Sequence, residues 1–223
     1  MLAAAVALAD ADGLPALTMR RLAADLGVEA MSLYYHLPGK NGLLDGLVET
    51  VIAEVVGRVD AAPGRAAGDW RATLRGWFLA AREVMLSHPW APTLMTPGRG
   101  VPPALYVYYE RILATLIEAG FSYRIAHRAL HAFGSMPLGF VPELFSPDPG
   151  AAAGNEEAEL AAMAEALPNL AAMVAAELHD PTDPVLGWCD SQVEFEFTLD
   201  LLLDGLDRMT VEQPSGSPGA TSR

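Results

Sequence analysis

Hydrophobic positions recur along this chain with helical spacing, and no stretch alternates in the two-residue rhythm of a half-buried strand. Alanine and leucine dominate, and Gly/Pro punctuation falls between segments of helical length, which points to an all-α fold. Residues 2–10 read as a first helix, ended by Asp12-Gly13. Thr18 then stands as an N-cap before Met19, Leu22, Ala23 and Leu26, an i, i+3, i+4, i+7 stripe that Gly27 closes. A short third helix is expected over residues 30–36, with Leu33 and Leu37 turned to the same small core and Pro38-Gly39 as its stop. Residues 43–59 form a long connecting helix, and the Ala/Pro/Gly stretch 60–68 reads as a joint between lobes.

Beyond the joint, helices are expected over 70–87, 102–119 and 122–140. Residues 146–155 have loop composition, 156–178 contains Pro168 and should form two short helices or one kinked helix, and 193–209 is a final amphipathic helix. The Pro/Ser/Gly tail from Gln213 reads as disordered, and no internal repeat is visible. The expected division is a small three-helix domain over 1–48, a larger helical domain over 49–210, and a tail over 211–223.

With 223 residues, 52% of them apolar, the chain can bury a core without staples. The single cysteine, Cys189, excludes an intrachain disulfide framework and suits a cytoplasmic protein. The apolar start, residues 1–9, lacks a basic leader and runs into Asp10 and Asp12, so it reads as a helix and not a secretory signal. No uninterrupted apolar run is long enough for a membrane span. The net charge of −14 excludes a protein that coats nucleic acid by bulk positive charge. That charge is uneven: residues 1–48 set Arg20, Arg21 and Lys40 against Asp10, Asp12, Asp25, Glu29 and Asp45, leaving nearly all the excess in the remainder. Any nucleic-acid contact would then rest on a few placed cations, with the acidic remainder discouraging nonspecific binding.

The informative block runs from Leu17 to Lys40, LTMRRLAADLGVEAMSLYYHLPGK, and continues in Leu43-Leu44-Asp45. Two short helices joined by a Gly-containing turn, the second presenting polar and aromatic side chains, have the geometry that fits a major groove. The run resembles the signature of the TetR family of transcriptional regulators: a Thr-capped helix, a Leu-Gly-Val turn, Leu-Tyr-Tyr-His and a following Lys. His88-Pro89-Trp90, the break at Ala119-Gly120-Phe121, and Phe195 to Gly205 extend the resemblance into the tetracycline-repressor-like C-terminal domain. The resemblance implies that Ala30, Met31 and Ser32 face base edges from the start of the recognition helix, with Arg20 reaching a base or phosphate. Tyr34, Tyr35 and His36 would position the DNA backbone, Lys40 would anchor a phosphate, and Thr18 would cap its helix and touch phosphate. Arg suits a guanine edge and small apolar groups suit thymine methyls, so the chemistry agrees.

The family also implies a homodimer through a four-helix bundle of helices 122–140 and 193–209, with Phe195, Leu199, Leu202, Leu203 and Leu206 as its apolar face. The alternative is that these five only pack an intrachain core, since spacing does not identify the partner. Trp77, Phe78, Met85, Trp90, Tyr106, Tyr109 and Met136, with His131 as a polar wall, are candidates for a small-molecule effector pocket. His127 and His131 stand four apart, a spacing that lets two imidazoles share a metal, and Glu143 is the nearest third donor. Packing or a polar pocket wall is the simpler role, so no metal and no cofactor is assigned. Effector binding would shift the dimer away from its operator-competent state through helix 43–59. Two other classes stay open: a binding module of the same fold that does not read DNA, and a metal-dependent helical enzyme centred on His127 and His131.

Overall fold

The computed structural model describes residues 1–62, 68–95, 102–139, 165–177 and 191–211, and every regular element among them is helical. Helix α1 spans Leu2–Asp12, a 3-10 turn Leu14–Ala16 follows, and α2 spans Met19–Asp25, α3 Ala30–Tyr34 and α4 Gly39–Ala61. Then come α5 Trp70–Ser87, α6 Ala91–Leu94, α7 Pro103–Glu118, α8 Tyr123–Gly134 and α9 Met136–Gly139, the helix Pro168–Glu177, and a last helix Ser191–Val211. Contacts divide the chain into one compact unit of Met1–Val141 with Leu199–Arg223 and a second of Pro142–Thr198.

The first four helices form a small core around Leu17, Leu22, Leu33, Leu43 and Leu47. Helix α1 lies so close to α4 that a β-carbon at Gly46 would stand 2.7 Å from a methyl of Leu2. The turn after α2 closes as a Schellman motif: Gly27 has φ +67°, its N–H bonds Ala24 O, and Val28 N–H bonds Ala23 O at 2.9 Å. The same motif ends α7, where Gly120 is left-handed and Phe121 N–H reaches Leu116 O, before Ser122 caps α8. Helix α4 runs unbroken through position 48, so the head and the lobe beyond it share one rigid element.

In the lobe, α5 is held by the Asp69 cap and buries Leu74, Trp77, Phe78, Ala81, Val84 and Met85 on one stripe, packing on α4, α7 and α9. Phe78 stacks on Phe133, and Trp77 meets Tyr108 edge-on. Arg71 and Arg75 of α5 pair with Asp204 and Asp200 of the last helix.

Three expectations need correction. The third helix stops at Tyr34, because the N–H groups of His36 and Leu37 both turn back to Leu33 O, and α4 starts at Gly39, four residues before Leu43. Lys40 therefore sits in the first turn of α4. The helix expected over 122–140 breaks at Ser135: Pro137 has no N–H to give to Phe133 and crowds that carbonyl, so a separate turn, α9, follows. The loop 146–155, the part of 156–178 before residue 165, and the tail from Gln213 lie outside the described residues.

Candidate nucleic-acid interface

Thr18 caps α2 by accepting the Arg21 N–H at 3.1 Å, which leaves its hydroxyl hydrogen available to a phosphate. The two arginines that follow part company. Arg21 reaches back to Asp12 of α1 at 2.5 Å, so it fastens α2 to α1, whereas Arg20 is exposed and has no ion-pair partner among the described residues. Sequence reading gave no signal for that pairing, because nine residues separate the partners.

Helix α3 inverts the usual rule of burial. Leu33 is buried, yet Met31 is 69% and Tyr35 87% exposed, and Tyr34 is exposed beside them. These three stand at i, i+3 and i+4, on the side of the helix opposite its single core residue. Large apolar and aromatic groups on a five-residue helix contribute nothing to the core while exposed, so the surface is suited to a ligand. Ala30 and Ser32 are half-buried, and the Ser32 hydroxyl donates to Glu29 O at 2.6 Å, leaving its lone pairs to accept. His36 and Lys40 flank the helix and are exposed.

The candidate effector residues separate into two groups. Trp77, Phe78, Met85, Trp90 and Met136 are buried, and Tyr109 is half-buried. Tyr106 is 61% exposed, and His131 is exposed with its Nε2 3.1 Å from that of His127, so Tyr106 and His131 do not share the enclosed setting of the rest. Burial, with a smaller effect from Tyr109, pushes the Tyr108 phenol well above its ordinary range and keeps it protonated. No group of three His, Cys, Asp or Glu among the described residues is placed to hold a metal, and Glu143 lies outside them.

On the last helix, Phe195, Leu199, Leu203 and Leu206 are already buried within one chain, and Leu202 is half-buried. Among the described residues, the large apolar side chains this helix leaves exposed are Val193, Phe197 and Leu201, spaced four apart, and Met209 near its end.

A polar cluster joins the head to the lobe. His88, which ends α5 ahead of Pro89, has Nδ1 2.7 Å from Asp10 Oδ1 on α1 and Nε2 3.0 Å from Glu54 Oε2 on α4. Trp90 Nε1 donates to the same Asp10 oxygen at 2.6 Å, and Arg58 binds both Glu54 and Glu83. Sequence reading missed Asp10, Glu54, Arg58 and Glu83. The one available signal was a histidine and a tryptophan flanking a proline at a helix end.

Comparison with known proteins agrees with this layout. Residues 1–47 match the family described as bacterial regulatory proteins, tetR family, and residues 62–210 match the tetracyclin repressor-like C-terminal domain. An HTH-type transcriptional regulator of Saccharopolyspora erythraea is 36% identical over 121 residues, 54% of this chain and 49% of that protein, so the match spans about half the length of that relative. The class A tetracycline repressor protein from transposon 1721 in Escherichia coli is 30% identical over 91% of this chain and 87% of its own. The Streptomyces coelicolor TetR family protein ActR, solved in complex with actinorhodin, superposes with a TM-score of 0.70 at 25% identity, covering 95% of this chain and 96% of that one. A reading head followed by a matched C-terminal domain over nearly the whole length places this chain in the TetR family of bacterial transcriptional regulators.

Proposed function

We propose that this protein is a homodimeric cytoplasmic repressor that reads a palindromic operator with α3 and leaves it when a small molecule occupies its C-terminal lobe. The observation that carries the reading is the exposed Met31, Tyr34 and Tyr35 surface on α3, backed by buried Leu33 and flanked by Arg20, Lys40 and the Thr18 hydroxyl. Arg20 and Lys40 supply phosphate or guanine contacts, and Ala30 and Met31 meet thymine methyls. Two heads must stand roughly 34–36 Å apart to enter successive major grooves, which requires a dimer. Exposed Val193, Phe197 and Leu201 on the last helix, and the exposed side of α8 carrying Tyr123 and His127, are surfaces for it.

The effector is a drug-like or natural-product molecule, as the tetracycline repressor's name and the actinorhodin complex of ActR suggest for relatives. The buried aromatic and Met residues of α5, with Tyr109, are the surroundings proposed for it. By linkage, effector weakens DNA binding by the factor by which DNA weakens effector binding, typically ~5 to 150-fold. Selection from random duplex DNA by the purified protein tests the reading. Enrichment of a palindrome by the native protein and not by an Arg20→Ala, Tyr35→Ala variant is expected; a folded dimer that enriches nothing overturns it.

A further inference from the structure

Helix α3 takes its direction from the helices behind it, and those are fastened to one another by side-chain pairs outside α3. Asp12 of α1 holds Arg21 of α2, and α2 packs on α3. Two residues before Asp12, Asp10 meets His88, which also meets Glu54 of α4. One nearly buried imidazole thus touches the first helix of the head, the helix that leaves the head, and the end of the lobe's central helix.

We propose that protonated His88 is a positioning residue for DNA reading, a latch between α1 and α4 that sets the angle of the head and holds it operator-competent only while both ring nitrogens carry hydrogen. The proposal rests on the reading of α3 as a DNA-contacting helix. A carboxylate only accepts hydrogen bonds, so His88 can satisfy Asp10 and Glu54 together only as the imidazolium. The neutral ring has one N–H, and its other nitrogen then turns a lone pair toward a carboxylate. Neither acid is left alone by that loss: Asp10 keeps Trp90 Nε1 and Glu54 keeps Arg58, which Glu83 of α5 holds from the other side. What is lost is one of the two imidazole bonds, and with it the direct bridge through His88 from α1 to α4, while the Asp10–Trp90 and Arg58–Glu83 contacts remain.

Burial disfavours the charged ring, but the hydrogen bonds and negative charges of Asp10 and Glu54 outweigh it and hold the His88 pKa above the ordinary histidine value. Glu54 is held below its ordinary value: burial opposes this, and His88 and Arg58 outweigh burial. The latch is therefore fully made below the ordinary histidine pKa of ~6.5 and is lost as pH rises through the raised value. Exposed His36 flanks α3, so a His36→Gln variant is carried alongside to separate its contribution from that of His88.

The probe is a labelled duplex carrying the sequence that the native protein selects near pH 6.5, titrated at fixed ionic strength from about pH 6 to about pH 9, the window of histidine charge change. Affinity of the native protein and of His36→Gln is expected to fall about tenfold across the range, the scale of one charge-assisted hydrogen bond. His88→Gln and Asp10→Asn should bind about tenfold more weakly at the acid end, with a flat profile. A His88→Gln profile that follows the native one in a folded protein overturns the latch. Hydrogen exchange of α1 amides, compared between native protein and His88→Gln near about pH 6, where the latch is made, decides the matter without DNA: faster exchange in His88→Gln supports the latch and equal exchange overturns it. Should no duplex be selected, the DNA-reading assignment falls, and this exchange comparison still judges the latch.

Discussion

Within α3, neighbouring residues have opposite roles, and substitution separates them. Tyr35 is 87% exposed and has little native contact to lose, so Tyr35→Ala should leave the melting temperature within a degree or two while weakening operator binding at least about tenfold, as loss of a DNA-positioning aromatic would. Leu33 lies two positions earlier and is buried, so Leu33→Ala should cost about 2–4 kcal/mol of stability by leaving a cavity. Thermal unfolding beside duplex titration checks both, and a Tyr35→Ala protein that unfolds like Leu33→Ala would show the ring to be structural. Part of this was legible in sequence: Thr18 caps α2 and Leu33 packs in the core as expected, and Met31, Tyr34 and Tyr35 are exposed. The pairing of Arg21 with Asp12 and the bonds from His88 to Asp10 and Glu54 were not legible, because tertiary packing brings these partners together and no local periodicity records it.

Among the elements, the turn between α2 and α3 fixes how the recognition helix leaves the head. Gly27 sits at φ +67° with open space where a β-carbon would go, so Gly27→Ala meets no steric neighbour and should cost only the left-handed backbone penalty, about 1–2 kcal/mol. A larger loss of DNA affinity than of stability is expected, because the chain relieves strain by re-angling α3; equal, small effects on both would mean that the turn tolerates the change. Local signals of this kind made most helices readable in advance. The α5 limits, 70–87, follow from the Asp69 cap and the Pro89 stop. The ends that were misplaced are those where tertiary context decides: α3 yields its last residues to a turn, α4 begins at left-handed Gly39, and α8 stops before Pro137.

For the whole molecule, the question is how an acidic chain holds DNA at all. With a net charge of −14, long-range electrostatics oppose approach, and the head offers few unpaired cations: Arg21 is tied to Asp12, leaving Arg20 and Lys40 as the exposed basic residues of residues 1–48. A dimer that neutralises about four phosphates with these should show a slope of log affinity against log salt near about −3.6, at roughly −0.9 per phosphate. That is well short of the slope near about −10 of a strongly basic binder. On the proposed dimer, affinity comes from groove contacts made twice at the correct spacing, and it is expected to collapse if the dimer does. A Phe197→Glu, Leu201→Glu variant places charge on the exposed stripe of the last helix without touching the buried Leu199 and Leu203. It should sediment as a helical monomer and lose specific binding by two decades or more, on the order of what one half-site contributes. If it stays dimeric, that stripe is not the interface; if it is monomeric yet binds undiminished, the paired-head account is wrong. A measured slope much steeper than about −3.6 would instead point to cations beyond Arg20 and Lys40, which arginine and lysine substitutions outside the head would then locate.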